Sequence, residues 1–212
     1  MWALIKDNKI EQIYQRPKSL VLGEVRYPSN MFTKYTDAEK AAIGIYPVEN
    51  SGTKGDDRFE YTSGPTYTWS ASDKKVTTSY TITEKSLVDV EAKDEDGNNI
   101  LDEKGNKTYT YGLKTQAKNL AKQQANSYIK QFNWLVERSI YDSSKAIPDA
   151  VKTYVAAIET DCTEIETAID SASDMTAFKA LYQDTFNSDG SVKEIARINR
   201  WSDDYDVQQY IR

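Results

Sequence analysis

The chain contains no histidine. That removes the side chain most often used as general base, proton shuttle and transition-metal ligand. It holds one cysteine, Cys162, so an intramolecular disulfide and a cysteine-rich zinc site are both impossible. Cys162 falls on the apolar stripe of a helical pattern, where a free thiol serves as a small core residue. As a nucleophile it would lack the histidine that activates such a thiol. No run of about 18 apolar residues occurs, so no membrane-spanning helix is expected. The opening Met1-Trp2-Ala3-Leu4-Ile5-Lys6 meets charge too soon for a secretion signal. Gly-x-Ser-x-Gly elbows, phosphate-binding loops and dinucleotide fingerprints are missing. Positive charge is in deficit as well: 27 Lys+Arg against 33 Asp+Glu leave a net charge of -6. That charge repels phosphate and argues against nucleic acid as a partner.

What the chain does have is tyrosine. It carries 15, within an aromatic content of 11%, which sets it apart from disordered sequences, since those are poor in aromatics. A mean hydropathy of -0.71 is polar for a globular chain. Tyrosine suits protein interfaces, because the ring buries area while the hydroxyl stays wet. The 212 residues suffice for one large domain or two small ones.

Residues 1–112 read as strands and turns. Trp2–Ile5 and Ile10–Tyr14 flank Asp7-Asn8, a hairpin pattern. Leu20–Pro28 reads as one or two strands bent at Gly23. Thr36 and Glu39 form a capping-box pattern for a short helix over 37–42, which Gly44 stops. Ile45–Val48 is extended, which completes a small β-rich unit over 1–49. Residues 50–57 have loop composition. Strands are expected at 58–62, 66–70 and 75–92, rich in Thr, Val and Tyr. Asp94-Glu95-Asp96-Gly97-Asn98 then recurs as Asp102-Glu103-Lys104-Gly105-Asn106. The two Gly-Asn turns predict an extended hairpin or meander that protrudes, within a unit over 50–112.

At Leu113 the period becomes helical. Ala117, Leu120, Ala121, Ala125, Tyr128, Ile129, Phe132, Leu135 and Val136 make one stripe over six turns. After a connection over 143–147, Pro148 suits the first turn of a second helix carrying Val151, Tyr154, Val155, Ile158, Cys162, Ile165 and Ile169. Ser173 or Asp174 caps a third helix through Phe178, Leu181, Tyr182 and Phe186, closing a unit over 113–186. A tail over 187–212 forms a last helix or lies on the body. The fold class expected is α+β: a β-rich N-terminal half with an extended hairpin, then a C-terminal antiparallel helical hairpin or small helical bundle.

Each chemical constellation has a plainer competitor. Asp94, Asp96 and Asn98 begin like a calcium loop, but glycine comes fourth instead of sixth and no glutamate closes the site, so a solvated turn is the better reading. The pairs Asp56-Asp57 and Asp203-Asp204 are carboxylates of the kind glycosidases use, yet adjacent loop residues seldom face one site. Tyr61, Tyr67, Trp69 and Tyr80 read first as a cross-strand aromatic cluster, then as a protein interface, then as a glycan platform. No cofactor and no metal is expected, and no catalytic function.

The segment Asn133-Trp134-Leu135-Val136-Glu137-Arg138, followed by Ala146-Ile147-Pro148-Asp149-Ala150-Val151-Lys152-Thr153-Tyr154, resembles the tail-fibre-assembly and tail-assembly-chaperone-like proteins of tailed bacteriophages. Asn133 stands where that pattern usually has aspartate, and Val155 where it has arginine. The opening six residues and Ala41-Ala42-Ile43-Gly44-Ile45-Tyr46-Pro47-Val48 resemble the small N-terminal unit of such proteins, particularly those of marine phages. The resemblance covers about 1–49 and 113–170. It implies a virion structural protein, tail- or fibre-associated, made in the host bacterial cytoplasm and working in a multi-copy assembly with other tail, collar or fibre subunits, without nucleic acid or membrane. The alternatives are a tail-fibre assembly chaperone and, further off, a carboxylate-based glycan-active enzyme. The roles expected for the motif are structural. Trp134 anchors a helical hairpin, Arg138 caps or pairs near its helix end, Pro148 sets the turn, and Tyr154 sits on the partner helix.

Overall fold

The computed structural model describes residues 1–211. It is an α+β protein with a β-rich N-terminal half and a helical C-terminal region. It divides into two compact units, Met1–Thr83 and a second from Glu84 onward. The sequence-based boundary near 50 moves accordingly, because the strands on either side of 50–57 share one sheet.

In the first unit, β1 (Trp2–Lys6) and β2 (Lys9–Tyr14) form the expected hairpin. Asp7 and Asn8 both take positive φ, 48° and 58°, the twist that two-residue hairpin turns demand. Next come β3 (Leu20–Leu22) and β4 (Val25–Tyr27), paired around Gly23, then α1 (Met31–Lys34) and α2 (Asp37–Ala42). The short α1 is unannounced in the sequence. It drops Met31 and Phe32 into the core. The Thr36–Glu39 capping box is present in full. Gly44 closes α2 at φ 79°, and a Cβ there would lie 2.7 Å from the Ile5 carbonyl oxygen. Only glycine fits this approach.

β5 (Ile45–Asn50), β6 (Glu60–Ser70) and β7 (Lys75–Glu84) complete a sheet of order β2-β1-β5-β7-β6. β1 runs antiparallel to β5, and β5 parallel to β7. The two edges approach one another: Trp69 Nε1 on β6 donates to Asn8 Oδ1 at 2.8 Å. Successive residues of β1 serve opposite faces. Ala3 enters a core with Val48 and Val76, and Leu4 joins Tyr14, Met31, Phe32 and Ile45 on the other side. Two expectations change here. The strands at 58–62 and 66–70 are one strand running through Gly64-Pro65, because β6 is an edge and proline's missing N–H breaks no ladder there. The strand expected over 75–92 ends at Glu84.

The second unit opens on β8 (Val90–Glu91) paired with β9 (Tyr109–Thr110). Between them the twin turns fold back as a small three-way closure. Ala92 N donates to Thr108 O, Thr108 N to Ile100 O, and Ile100 N to Ala92 O, each at 2.9 Å. In both turns the aspartate Oδ1 accepts from the N–H groups two and four residues on.

α3 (Leu113–Lys130) and α4 (Asn133–Tyr141) replace the single long stripe. The break at Gln131-Phe132 lets both Phe132 and Leu135 enter the core built by Val151, Tyr154 and Ile158. These last three lie on α5 (Asp149–Ser171). Pro148 stands just before the first turn of α5, and its carbonyl accepts from Val151 and Lys152. α3 buries Leu113, Ala117, Ala121 and Ala125, a narrow face that permits close packing on α5. Lys118–Asp170 and Lys122–Glu166 pairs lie alongside. Asp174 caps α6 (Met175–Ala180) through the Ala177 N–H. The helix expected to reach Phe186 stops earlier: Thr185–Phe186 forms β10 and pairs with β11 (Val192–Glu194). The tail ends in 3-10 turns at Arg197–Asn199 and Tyr205–Tyr210, which bury Ile198 and Val207.

Candidate functional site

The helical signature assembles into one structure. Trp134, on the first turn of α4, sends its Nε1 to the Tyr210 carbonyl at 3.0 Å. One turn later, Arg138 lays its guanidinium over the same indole, 5.1 Å from the ring centre. Its Nε is sealed from solvent and has no hydrogen-bond partner among the described residues, while the guanidinium rests on the π face, which attracts a cation. Arg138 thus stacks on the Trp134 ring, and its charge also acts on Asp142 at the helix end. The Arg138 carbonyl accepts the N–H of Asp142, which follows the helix. The Asp142 carboxyl is held below its usual range by the Ser144 hydroxyl, then the Ser144 N–H, with the Arg138 charge a smaller contribution. Pro148 ends the connection, and Asp149 follows in the first turn of α5, where a negative charge is favoured. Its carboxyl is lowered by Lys152, which bonds it at 2.9 Å. Tyr154 stands edge-on to Phe132, with centroids 5.8 Å apart.

Between α4 and α5 lies a cleft of about 170 Å³, lined by Ile129, Val136, Ile147, Val151 and Val155 with Lys152 at its margin. The α4 wall continues outward. Val136 is followed four residues later by Ile140, on the same helix face. Ile140 is 75% exposed and Tyr141 91% exposed. These two residues were missed in the sequence. The signal was present, since Ile140 extends the apolar spacing by one step beyond Val136.

The aromatic strand residues divide between environments. Tyr67 and Trp69 pack on the Ala3, Val48 and Val76 core. Trp69 meets Tyr46 at 4.5 Å between centroids, a partner the sequence reading did not name, and spends its Nε1 on Asn8. Tyr80 receives the Lys54 ammonium at 5.6 Å from its ring centre. Tyr61 is 62% exposed. Trp69 is therefore tied into the sheet.

Other chemistry-bearing residues serve local structure. Asp56 forks onto Arg58, and Asp94 and Asp102 stay ionised below their usual range because the backbone N–H groups of Asn98 and Asn106, respectively, bond them first. Burial, then Glu166, pushes the Cys162 thiol up, away from the reactive thiolate. Among the described residues no group of three His, Cys, Asp or Glu side chains is placed to hold a metal ion, and no helix is long and apolar enough to cross a membrane. Compared with protein-family models, curated proteins and solved structures, the chain matches none.

Proposed function

We propose that this chain is a structural component of a tailed-bacteriophage virion, associated with the tail or its fibres, that works through contacts with neighbouring subunits in a multi-copy assembly. Support comes from the signature over Asn133–Tyr154 and from what it builds. The observation that carries the reading is an apolar α4–α5 cleft whose α4 wall is followed, one turn beyond Val136, by Ile140 and its neighbour Tyr141, 75% and 91% exposed. A chain of mean hydropathy -0.71 that still presents an isoleucine and a tyrosine side by side offers a desolvation site of the kind that protein partners cover. The Trp134–Tyr210 bond and the Arg138 stack hold that surface in place.

The test is mass spectrometry of purified particles with absolute stoichiometry. A fixed copy number per particle is expected. Abundance in infected lysate with absence from particles would overturn the reading. Together with a rise in soluble fibre on co-expression, it would make the chain a fibre-assembly chaperone.

A further inference from the structure

A second cleft, of about 270 Å³, opens between α5 and the C-terminal segment. Its floor is apolar, built from Ala150, Ala157 and Val207. Its rim is polar: Thr153 and Ser202 bring hydroxyls, Asp203 and Asp206 bring carboxylates, and among the described residues no lysine or arginine lines it. Neither Asp203 nor Asp206 has an ion-pair partner among the described residues. Nearby Asp161 is already engaged, accepting the Ser202 N–H at 2.6 Å.

Tyr154 adds an independent observation. It is only 8% exposed, and its hydroxyl has no hydrogen-bond partner among the described residues, although buried hydroxyls ordinarily find one. That oxygen is not sealed from solvent, and Tyr154 is one of the residues lining the cleft. Burial pushes its phenol up, and Asp204, Tyr128, Asp161 and Asp203 push it further. It is thus a neutral hydroxyl, with free lone pairs, in a negative field.

We infer that this cleft receives the arginine or lysine side chain of a partner protein. A basic side chain is an apolar stem with a cationic head, and the cleft has the matching order: apolar floor, acidic rim, orphan acceptor. The volume falls just below the roughly 300–1,000 Å³ of small-molecule sites, so it suits one side chain better than a free metabolite. The acceptors (Asp203, Asp206 and the Tyr154 hydroxyl) suit a group that only donates. The net charge of -6 favours approach of a basic partner at long range.

The probe is a set of capped tripeptides, acetyl-Gly-X-Gly-amide, with X arginine, lysine or citrulline. Each is titrated into the ¹⁵N-labelled full chain and read by amide chemical shifts. The basic peptides should give saturable shifts at Thr153, Tyr154, Ser202, Asp203 and Asp206, weakened by salt. Citrulline, with the shape of arginine but no charge, should give none. D203N/D206N should weaken binding by about tenfold, and Tyr154→Phe should weaken it without abolishing it. Equal shifts from arginine and citrulline, or no shift at these residues with either basic peptide, would overturn the assignment, and that comparison needs no variant. Absence of the chain from particles would leave the cleft's chemistry standing, just as failure of the peptides to bind would leave the particle reading standing.

Discussion

Trp134 and Tyr210, 76 residues apart, are joined by a single hydrogen bond from indole Nε1 to main-chain carbonyl. The bond ties the C-terminal segment to the helix that carries the signature. Trp134→Phe keeps a ring for Arg138 to stack on but removes the donor. It should cost about 1 kcal/mol in urea unfolding and speed hydrogen exchange at Val207–Ile211 selectively. Arg138→Gln, which keeps the bond and removes the cation, should cost about 0.5–1 kcal/mol with those amides unchanged. Uniform exchange in both variants would show that the two contacts do not act separately.

Much of the fold could be read where local chemistry decides it. The Asp7-Asn8 turn, the Thr36–Glu39 box, the Asp174 cap and the Gly-Asn turns rest on interactions spanning a few residues. The failures fall where distant packing decides. Nothing in Ser63-Gly64-Pro65 announces an edge strand, because edge position is a property of the sheet. The stripe from Ala117 to Val136 has unbroken helical spacing, yet the chain breaks at Phe132 to aim it and Leu135 at α5. Phe186 continues a helical spacing but follows a helix that ends at Ala180 and pairs instead with Val192. Within the candidate site, Trp134 and Arg138 were readable from the motif, whereas the Tyr210 carbonyl is a backbone group that no side-chain pattern can disclose.

The twin turns yield a prediction about cooperativity. Gly97 and Gly105 sit at φ 84° and 81°, and a Cβ at either would meet nothing within 4 Å. Alanine there is disfavoured by backbone conformation alone, at about 1–2 kcal/mol, and asparagine should cost less than alanine. Ala92, Ile100 and Thr108 exchange backbone hydrogen bonds in a closed ring, so loosening one turn should expose all three. Gly105→Ala should raise hydrogen exchange at these three amides together, while α5 amides keep their protection. Faster exchange at Thr108 alone would mean that the ring opens bond by bond.

The capping box gives a pH dependence with a definite sign. The Glu39 carboxyl lies below its ordinary value, chiefly through the Thr36 N–H and then the Thr36 hydroxyl, with desolvation opposing. The folded state therefore binds the ionised form more tightly than the unfolded chain does. Its stabilisation is complete above the ordinary glutamate value and is lost as pH falls through the depressed folded value. Glu39→Gln should lower the melting temperature at neutral pH, and the gap from the parent should close as pH drops toward about 3. A gap that stays constant with pH would mean that the carboxylate's charge contributes nothing.

Stability and assembly should separate on the two sides of α4. Leu135 is fully buried, packed with Phe132, Val151 and Tyr154, so Leu135→Ala should cost about 3 kcal/mol and lower the melting temperature. Ile140 and Tyr141 contribute little to that core, being 75% and 91% exposed. Ile140→Asp and Tyr141→Ser should each change stability by no more than about 0.5 kcal/mol. If these side chains meet a neighbouring subunit, Ile140→Asp places a charge in the desolvated centre of that contact, where an unpaired carboxylate is costly. The variant should then fold normally and be missing from purified particles. Recovery of Ile140→Asp protein at the parent's copy number would show that the α4–α5 cleft faces water in the particle, and the contact would have to lie elsewhere on the chain.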